Sequence, residues 1–232
     1  MTDTPTPIHI YFVLDRSGSM QVIASDVIGG FNSFLDTQKA DGADALMTLV
    51  QFDSQDPHEV LADSVGIEAV RELERSSFVP RGGTPLYDAM GHTIADATIR
   101  VEKRRAEDLP PEEILFVTFT DGEENQSVEY DREKIFELIK RREADGWTFA
   151  YLGANQDAYA EGAKVGYAAA STQGFVGDAA GTAAAFASLT SAVVTRRGKI
   201  RTGAHYDNRD LFEGLKEAEE DMKHRARQRR KT

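Results

Sequence analysis

Runs of strand-forming apolar residues alternate along this chain with apolar stripes at helical spacing, and that alternation restricts the fold more than any other feature. Residues 11–14, 46–52, 114–120 and 147–152 read as strands. Between and after them lie four stripes: Val27, Ile28, Phe31, Phe34 and Leu35 in 26–39; Met90, Ile94 and Ala97 in 86–105; Ile135, Phe136, Leu138 and Ile139 in 132–144; Ala184, Ala185, Leu189 and Val193 in 181–195. Strands alternating with helices of this kind form a mostly parallel sheet covered on both faces. Residues 59–63 read as a short strand that pairs antiparallel with its predecessor across a loop containing Pro57. Weak helical spacing at 67–73, a short helix at 158–165 and a brief strand at Phe175-Val176 complete the expected elements.

The loop after the first strand carries the chemistry. Asp15 ends the apolar run, and Arg16-Ser17-Gly18-Ser19-Met20 follows, so one carboxylate and two hydroxyls stand together without a nitrogen or sulfur ligand. Hard divalent cations such as Mg²⁺ take oxygen donors and keep some water, which suits this set. A serine after a strand also caps a following helix, so this loop alone leaves both readings open. Two distant stretches add to it. Arg81-Gly82-Gly83-Thr84-Pro85-Leu86-Tyr87-Asp88-Ala89 supplies a glycine-rich turn, a hydroxyl and a helix start with Pro85 in its first turn. The strand at 114–120 closes in Asp121-Gly122-Glu123-Glu124-Asn125. Open parallel sheets bind ligands at the carboxyl ends of their strands, where Asp15 and Asp121 both fall.

Asp-x-Ser-x-Ser, then Gly-Gly-Thr-Pro-Leu-Tyr-Asp-Ala, then Thr-Asp-Gly, in this order, resemble the metal-ion-dependent adhesion site of von Willebrand factor type A domains. The resemblance covers about residues 8–198, matches every ligand position, and is to the bacterial or phage intracellular type. It implies an α/β, Rossmann-like, doubly wound fold with a mostly parallel sheet, one antiparallel edge strand and helices on both faces. It also implies that Ser17, Ser19 and Thr84 bind a cation through their hydroxyls and that Asp15 and Asp121 bind it directly or through water. The cation implied is Mg²⁺, with Mn²⁺ or Ca²⁺ as substitutes. An Asp or Glu of a partner protein would take the last position, because neutral hydroxyls quench the ion's charge poorly. Gly18, Gly83, Glu123 and Asp53 are candidates for the shell behind these ligands. Intracellular members of the family work with AAA+ ATPases or in stress-response complexes, so those are the partners the resemblance implies.

Composition narrows the alternatives. With no cysteine among 232 residues, disulfides and thiolate metal sites are excluded. Neither a signal-peptide core nor a run of about 18 apolar residues occurs, so a cytoplasmic protein without a membrane partner is expected. Residues 1–197 hold 17 basic and 32 acidic side chains, a balance of −15, whereas 198–232 hold 10 and 7, a balance of +3. The body therefore repels nucleic acid, and only the tail can attract it. The expected division is a polar start at 1–7, a domain at 8–198 and a charged, partly helical tail at 199–232, with Leu211, Phe212, Leu215, Ala218 and Met222 at helical spacing. A Mg²⁺-dependent hydrolase or phosphotransferase on the same scaffold is the competing reading. It lacks support, since Ser17 stands where an aspartyl phosphotransferase has its second acid, and the phosphate-loop, dinucleotide and nucleophile-elbow signatures are absent. Asp53, Glu123, Glu124, Asn125, Asn155 and Asp157 all follow expected strands; most are expected to be caps, yet together they imply an acidic rim.

Overall fold

The computed structural model describes residues 6–154 and 157–212. Six strands form one sheet: β1 (Ile8–Asp15), β2 (Ala45–Asp53), β3 (Asp56–Gly66), β4 (Glu113–Thr120), β5 (Thr148–Ala154) and β6 (Thr172–Phe175). Their order is β3-β2-β1-β4-β5-β6. Every neighbouring pair is parallel except β2 and β3, so the antiparallel strand lies at the edge as expected. The helices are α1 (Ala24–Ala40), α2 (Leu86–Ala106), α3 (Arg132–Ala144), α4 (Ala158–Lys164) and α5 (Ala179–Thr202).

Strand periodicity divides β1 between two cores. Ile10, Phe12 and Leu14 point to the face covered by α1 and α5, and Tyr11 and Val13 to the face covered by α2, α3 and α4. Phe12 meets the ring of Phe31 edge-on at 5.3 Å and lies parallel to that of Phe186 at 6.4 Å, which locks α1 and α5 to the central strand. The helices approach so closely that a Cβ on Gly30 would stand 2.2 Å from the Phe186 ring. Both faces of the central strands are therefore dry, and their polar ends emerge only at the carboxyl edge.

Four expectations need correction. Helical spacing at 67–73 yields a single turn, Ile67–Ala69, because the side chain of Asn32 takes over the backbone of Leu73, accepting from its N–H at 2.8 Å and donating to its carbonyl at 2.9 Å. Pro57 lies inside β3 rather than in a loop; on an edge strand beside a register shift its missing N–H removes no ladder bond. Ala184 is exposed, and Phe186 fills the core position near it instead. The sixth strand begins earlier than expected, at Thr172, and ends at Phe175.

The boundary expected at Gly198 falls inside α5. Arg197 is wholly buried and donates to the carbonyls of Gln38 at 2.7 Å and Gly42 at 2.6 Å and to Asp44 at 2.5 Å. Arg201 continues the clamp onto Asp41 and Asp44 at 2.6 Å each. These pairs extend the helix to Thr202, beyond its apolar stripe. The chain then returns, and Leu211 and Phe212 enter the α1/α5 core, where the N–H of Leu211 donates to Ser171 Oγ at 3.0 Å. The helical stripe expected over 210–230 and its basic end lie outside the described residues beyond Phe212.

Candidate metal centre

Three loops converge at the carboxyl ends of β1 and β4. Asp15 is the last residue of β1 and is buried; its Oδ1 accepts from the Ser17 N–H at 2.7 Å and its Oδ2 from the Thr120 hydroxyl at 2.5 Å. The Ser17 and Ser19 hydroxyls stand 3.0 Å apart, and Ser19 donates to Asp121 Oδ1 at 2.6 Å. Thr84 completes the group from the third loop: a Cβ built on Gly122 would lie 3.1 Å from Thr84 Oγ1 and 3.6 Å from Ser19 Oγ. Residues separated by up to 106 positions thus bring five oxygen-bearing side chains to the same edge of the sheet.

Electrostatics there are unusual for carboxylates. Burial pushes Asp15 up to about 7, outweighing the hydrogen bonds from Thr120 and Ser17, with the nearby charge of Asp121 adding to the rise. Burial likewise raises Asp121 against its bond from Ser19. Among the described residues no three His, Cys, Asp or Glu side chains gather into a metal-binding group, because three of these five donors are hydroxyls. Two carboxyls short of compensating charge, with three hydroxyls around them, fit a hard divalent cation, whose field would favour both ionised forms.

The loops are fastened to one another by the backbone. The N–H of Gly18 donates to the Gly82 carbonyl at 3.0 Å, and that of Arg81 to the Arg16 carbonyl at 3.0 Å. Gly83 exchanges two bonds with Ser54, N–H to Oγ at 2.9 Å and carbonyl to N–H at 3.1 Å. Gly82 adopts a φ of +65°, and a Cβ there would stand 2.4 Å from Ser54 Oγ, so this turn requires glycine.

No protein-family model and no curated protein matches the chain by sequence. Solved structures do match it in shape. A von Willebrand factor type A protein from Catenulispora acidiphila is 18% identical over 82% of this chain and 43% of its own, with a TM-score of 0.55. The SpRpn10 VWA domain is 12% identical over 78% of this chain and 94% of its own, with a TM-score of 0.52. The chain has the von Willebrand factor type A fold. Proximal thread matrix protein 1 from the mussel byssus is also similar, 14% identical over 78% of this chain, with a TM-score of 0.54. This chain spans 46% of that protein's length.

In this type A fold the supporting residues divide unevenly from the sequence expectations. Asp53 is buried and faces two arginines rather than the oxygen cluster: its Oδ2 accepts from Arg16 Nε at 2.8 Å and Arg81 Nε at 2.9 Å. It holds the loops that carry Ser17 and Gly82 from behind. Although burial pushes it up, bonds from the Gln55 N–H and from Arg81 hold it below the ordinary carboxylate value. Glu123 is exposed. Gly18 and Gly83 lie in the backbone bonds already described.

Sequence reasoning places Glu124 and Asn125 among rim residues expected to be caps, without naming what they cap, and gives Thr120 and Asp88 no individual role. Asn125 clamps Thr84, accepting from its N–H through Oδ1 at 2.9 Å and donating its own N–H to the Thr84 carbonyl at 3.1 Å. Glu124 accepts from Tyr87 N at 3.0 Å and Ser127 Oγ at 2.6 Å, which caps the first turn of α2. Asp88, buried in that turn, accepts the backbone N–H groups of Val128, Glu129 and Tyr130 at 2.7–2.9 Å. Each is a polar residue at a strand or helix end, which marks a cap but does not name its target. Of the acids expected at the rim, Asp53 is turned to two arginines, while Glu124 and Asp157 accept backbone N–H groups and Asp157 stays exposed. His58 and His92, distant in sequence, meet ring to ring at 5.6 Å outside the cluster, beside Asp96 and Glu129 respectively.

Proposed function

We propose that this protein is a divalent-metal-dependent protein-binding module: Asp15, Ser17, Ser19, Thr84 and Asp121 hold Mg²⁺, with Mn²⁺ or Ca²⁺ as alternatives, and the ion captures an Asp or Glu of a partner. The observation that carries this reading is the convergence of Ser17, Ser19 and Thr84 hydroxyls on two carboxyl groups that burial leaves undercompensated. When bound, the cation supplies a Lewis-acidic position for the incoming carboxylate. Asp15 and Asp121 together balance a dication, and neutral hydroxyls add no further negative charge, so attraction for a third carboxylate survives. Gly18, Gly83 and Asp53 hold the loops in register, and Glu123 stands exposed next to Asp121 as a polar neighbour of the incoming acid.

Hydrolysis is the weaker reading, because no histidine among the described residues belongs to the cluster and its hydroxyls are bonded to the same carboxylates that would hold the cation. Of the five histidines, the two that meet each other pair with carboxylates elsewhere. An AAA+ ATPase or a stress-response complex is the partner class in keeping with the sequence resemblance.

Titration calorimetry with Mg²⁺ tests the site. Asp15→Ala and Thr84→Ala are expected to abolish the heat of binding while circular dichroism stays unchanged; undiminished binding in both variants would overturn the assignment. Capture of a host protein in Mg²⁺ and its release by EDTA tests the function, and identical catches in the two conditions would count against it.

A further inference from the structure

Helix α2 does not close completely over the sheet. Between it and strands β1, β2 and β3 lies a cleft of about 630 Å³, with Val50 and Val60 on the sheet side and Ile99 on the helix. Val50 is buried yet belongs to neither apolar core, so the core under α2 stops short of it. Tyr11 lines the same cleft, four residues and about 13 Å back along β1 from Asp15.

Tyr11 is unusual among these residues. It is 2% exposed, and its hydroxyl has no hydrogen-bond partner among the described residues. The other buried hydroxyls of the cleft are occupied: Thr93 donates to the Ala89 carbonyl at 2.7 Å, and Thr48 accepts the Ser64 N–H at 3.0 Å. Burial pushes the Tyr11 hydroxyl up, so it keeps its proton. Arg100, Asp63 and Asp96 are among the charges that act on it, and all three line the cleft, so the hydroxyl end lies on the cleft side. Phenylalanine would fill the same space without a buried polar atom to satisfy. A tyrosine is explained by a molecule that enters the cleft and accepts from it.

Charges of both signs line the walls, Asp63 and Asp96 against Arg100 and Lys103, so the cleft carries no net charge. They are spread along its length. Asp96 stands 3.7 Å from His58, which burial holds below its ordinary value and therefore uncharged at neutral pH, leaving this carboxylate without a cationic partner among the described residues. Arg100 and Lys103 follow one and two turns further along α2, about 6 and 10 Å away. Arg100 gives Nε and NH2 to Glu112 at 3.1 and 2.8 Å, whereas Lys103 is exposed and makes no ion pair among the described residues. Asp63, exposed on β3, accepts from the Ser64 hydroxyl at 2.9 Å. A simple anion would be opposed by the two carboxylates and a simple cation by Lys103. A molecule carrying both charges answers both ends.

We propose that this cleft binds a small zwitterion of the amino-acid class with an apolar side chain. Its ammonium meets Asp96, its carboxylate meets Lys103 and the Tyr11 hydroxyl, and its side chain covers Val50, Val60 and Ile99. The site is separate from the cation site and needs neither the metal nor a partner protein.

The test uses the full 232-residue chain, isotope-labelled and held in EDTA, titrated with free leucine, methionine, phenylalanine and leucyl-leucine at millimolar concentration. At least one probe is expected to move the amide NMR signals of residues 58–64 and 93–103 to saturation. N-acetylation or C-amidation of that probe removes one of its two charges and should weaken binding roughly tenfold. Tyr11→Phe should bind it roughly fivefold more weakly and Lys103→Glu roughly tenfold, while the melting temperature of ligand-free Tyr11→Phe stays unchanged or rises. No saturable shift with any probe would overturn the inference, as would equal affinity for the acetylated and amidated probes or for Tyr11→Phe. A lower melting temperature of ligand-free Tyr11→Phe would show that a bound water already satisfies the hydroxyl, and would overturn it as well. Because EDTA is present throughout, each of these outcomes leaves the metal-dependent reading untouched.

Discussion

Thr120 donates its hydroxyl to Asp15 Oδ2 at 2.5 Å, from the end of β4 to the end of the neighbouring β1. The bond leaves that oxygen a single orientation and fixes one carboxyl of the cluster before any ligand arrives. Thr120→Val keeps the β-branched shape and removes only the donor. It is expected to weaken Mg²⁺ binding about tenfold or more, as loss of an outer partner commonly does, with little change in melting temperature. Thr120→Ser should restore most of the affinity. Calorimetric Mg²⁺ titration of the two variants checks both, and equal affinities would show that the bond has no part in positioning Asp15.

Asp15 makes the stability of the fold depend on pH. Its carboxyl titrates at about 7 in the folded protein and near 4 in an unfolded chain. Between those values the folded state keeps a proton that the unfolded state has released, so stability falls as the pH rises through this window. In EDTA, Asp15→Asn is expected to remove that fall and to be more stable than the unsubstituted protein at pH 8, by roughly 2–4 kcal/mol. The amide can still accept from Ser17 N and donate to Thr120. Added Mg²⁺ should raise the melting temperature of the unsubstituted protein alone. Urea denaturation at pH 5 and pH 8, with and without Mg²⁺, gives all four comparisons.

The strands and most helices were legible because periodicity follows from which face is buried. Residues 132–144 coincide with α3, and the edge position of β3 agrees with the resemblance. What escaped was set by distant partners. Nothing near Leu73 in sequence announces that Asn32, 41 residues earlier, will take its backbone and prevent a helix. Arg197 stands just inside the boundary expected at 198, yet it is buried, and Gln38, Gly42 and Asp44 accept from its guanidinium in the interior. The five oxygen-bearing side chains proposed as ligands come from three short motifs, since their chemistry resides in the side chains themselves. Asp88 and Asn125 are not legible in this way, since their role consists in holding backbone contributed by another loop.

Asp88 closes three backbone N–H groups with one carboxylate. Asp88→Ala would leave those donors without their partner and release the loop that carries Val128 and leads back to Asn125. A loss of about 2–4 kcal/mol is expected. Weaker Mg²⁺ binding should follow through Asn125 and Thr84. Asp88→Asn, which keeps one acceptor oxygen, should fall between the two. Denaturant melts measure the stability, and amide hydrogen exchange at residues 128–130 distinguishes local release from global destabilisation.

The opposite region of the α2 face predicts the acid limb of the stability curve. Glu112, its side chain 1% exposed, accepts from Arg100 NH2 at 2.8 Å, lies 3.3 Å from Arg104 Nε, and pairs with His9 Nδ1 at 3.2 Å. Burial alone would push this carboxyl up, but the bonds from His9 and Arg100 hold it at about 2. A depressed carboxyl contributes stability above its unfolded value near 4.5 that disappears as the pH falls through 2. His9, lowered mainly by burial, acts in the same direction at higher pH: below about 6.5 an unfolded chain takes up a proton that the folded one resists. Acid therefore removes the His9 contribution first, in the window where protonation of Asp15 acts in the opposite sense, and the Glu112 contribution below it. Glu112→Gln is expected to cost about 2–3 kcal/mol at pH 7 and to remove the lower contribution, so that its urea midpoint approaches that of the unsubstituted protein as the pH nears 2. Parallel curves across the whole range from pH 7 to pH 2 would show that the Arg100–Glu112–His9 contacts do not set the acid stability.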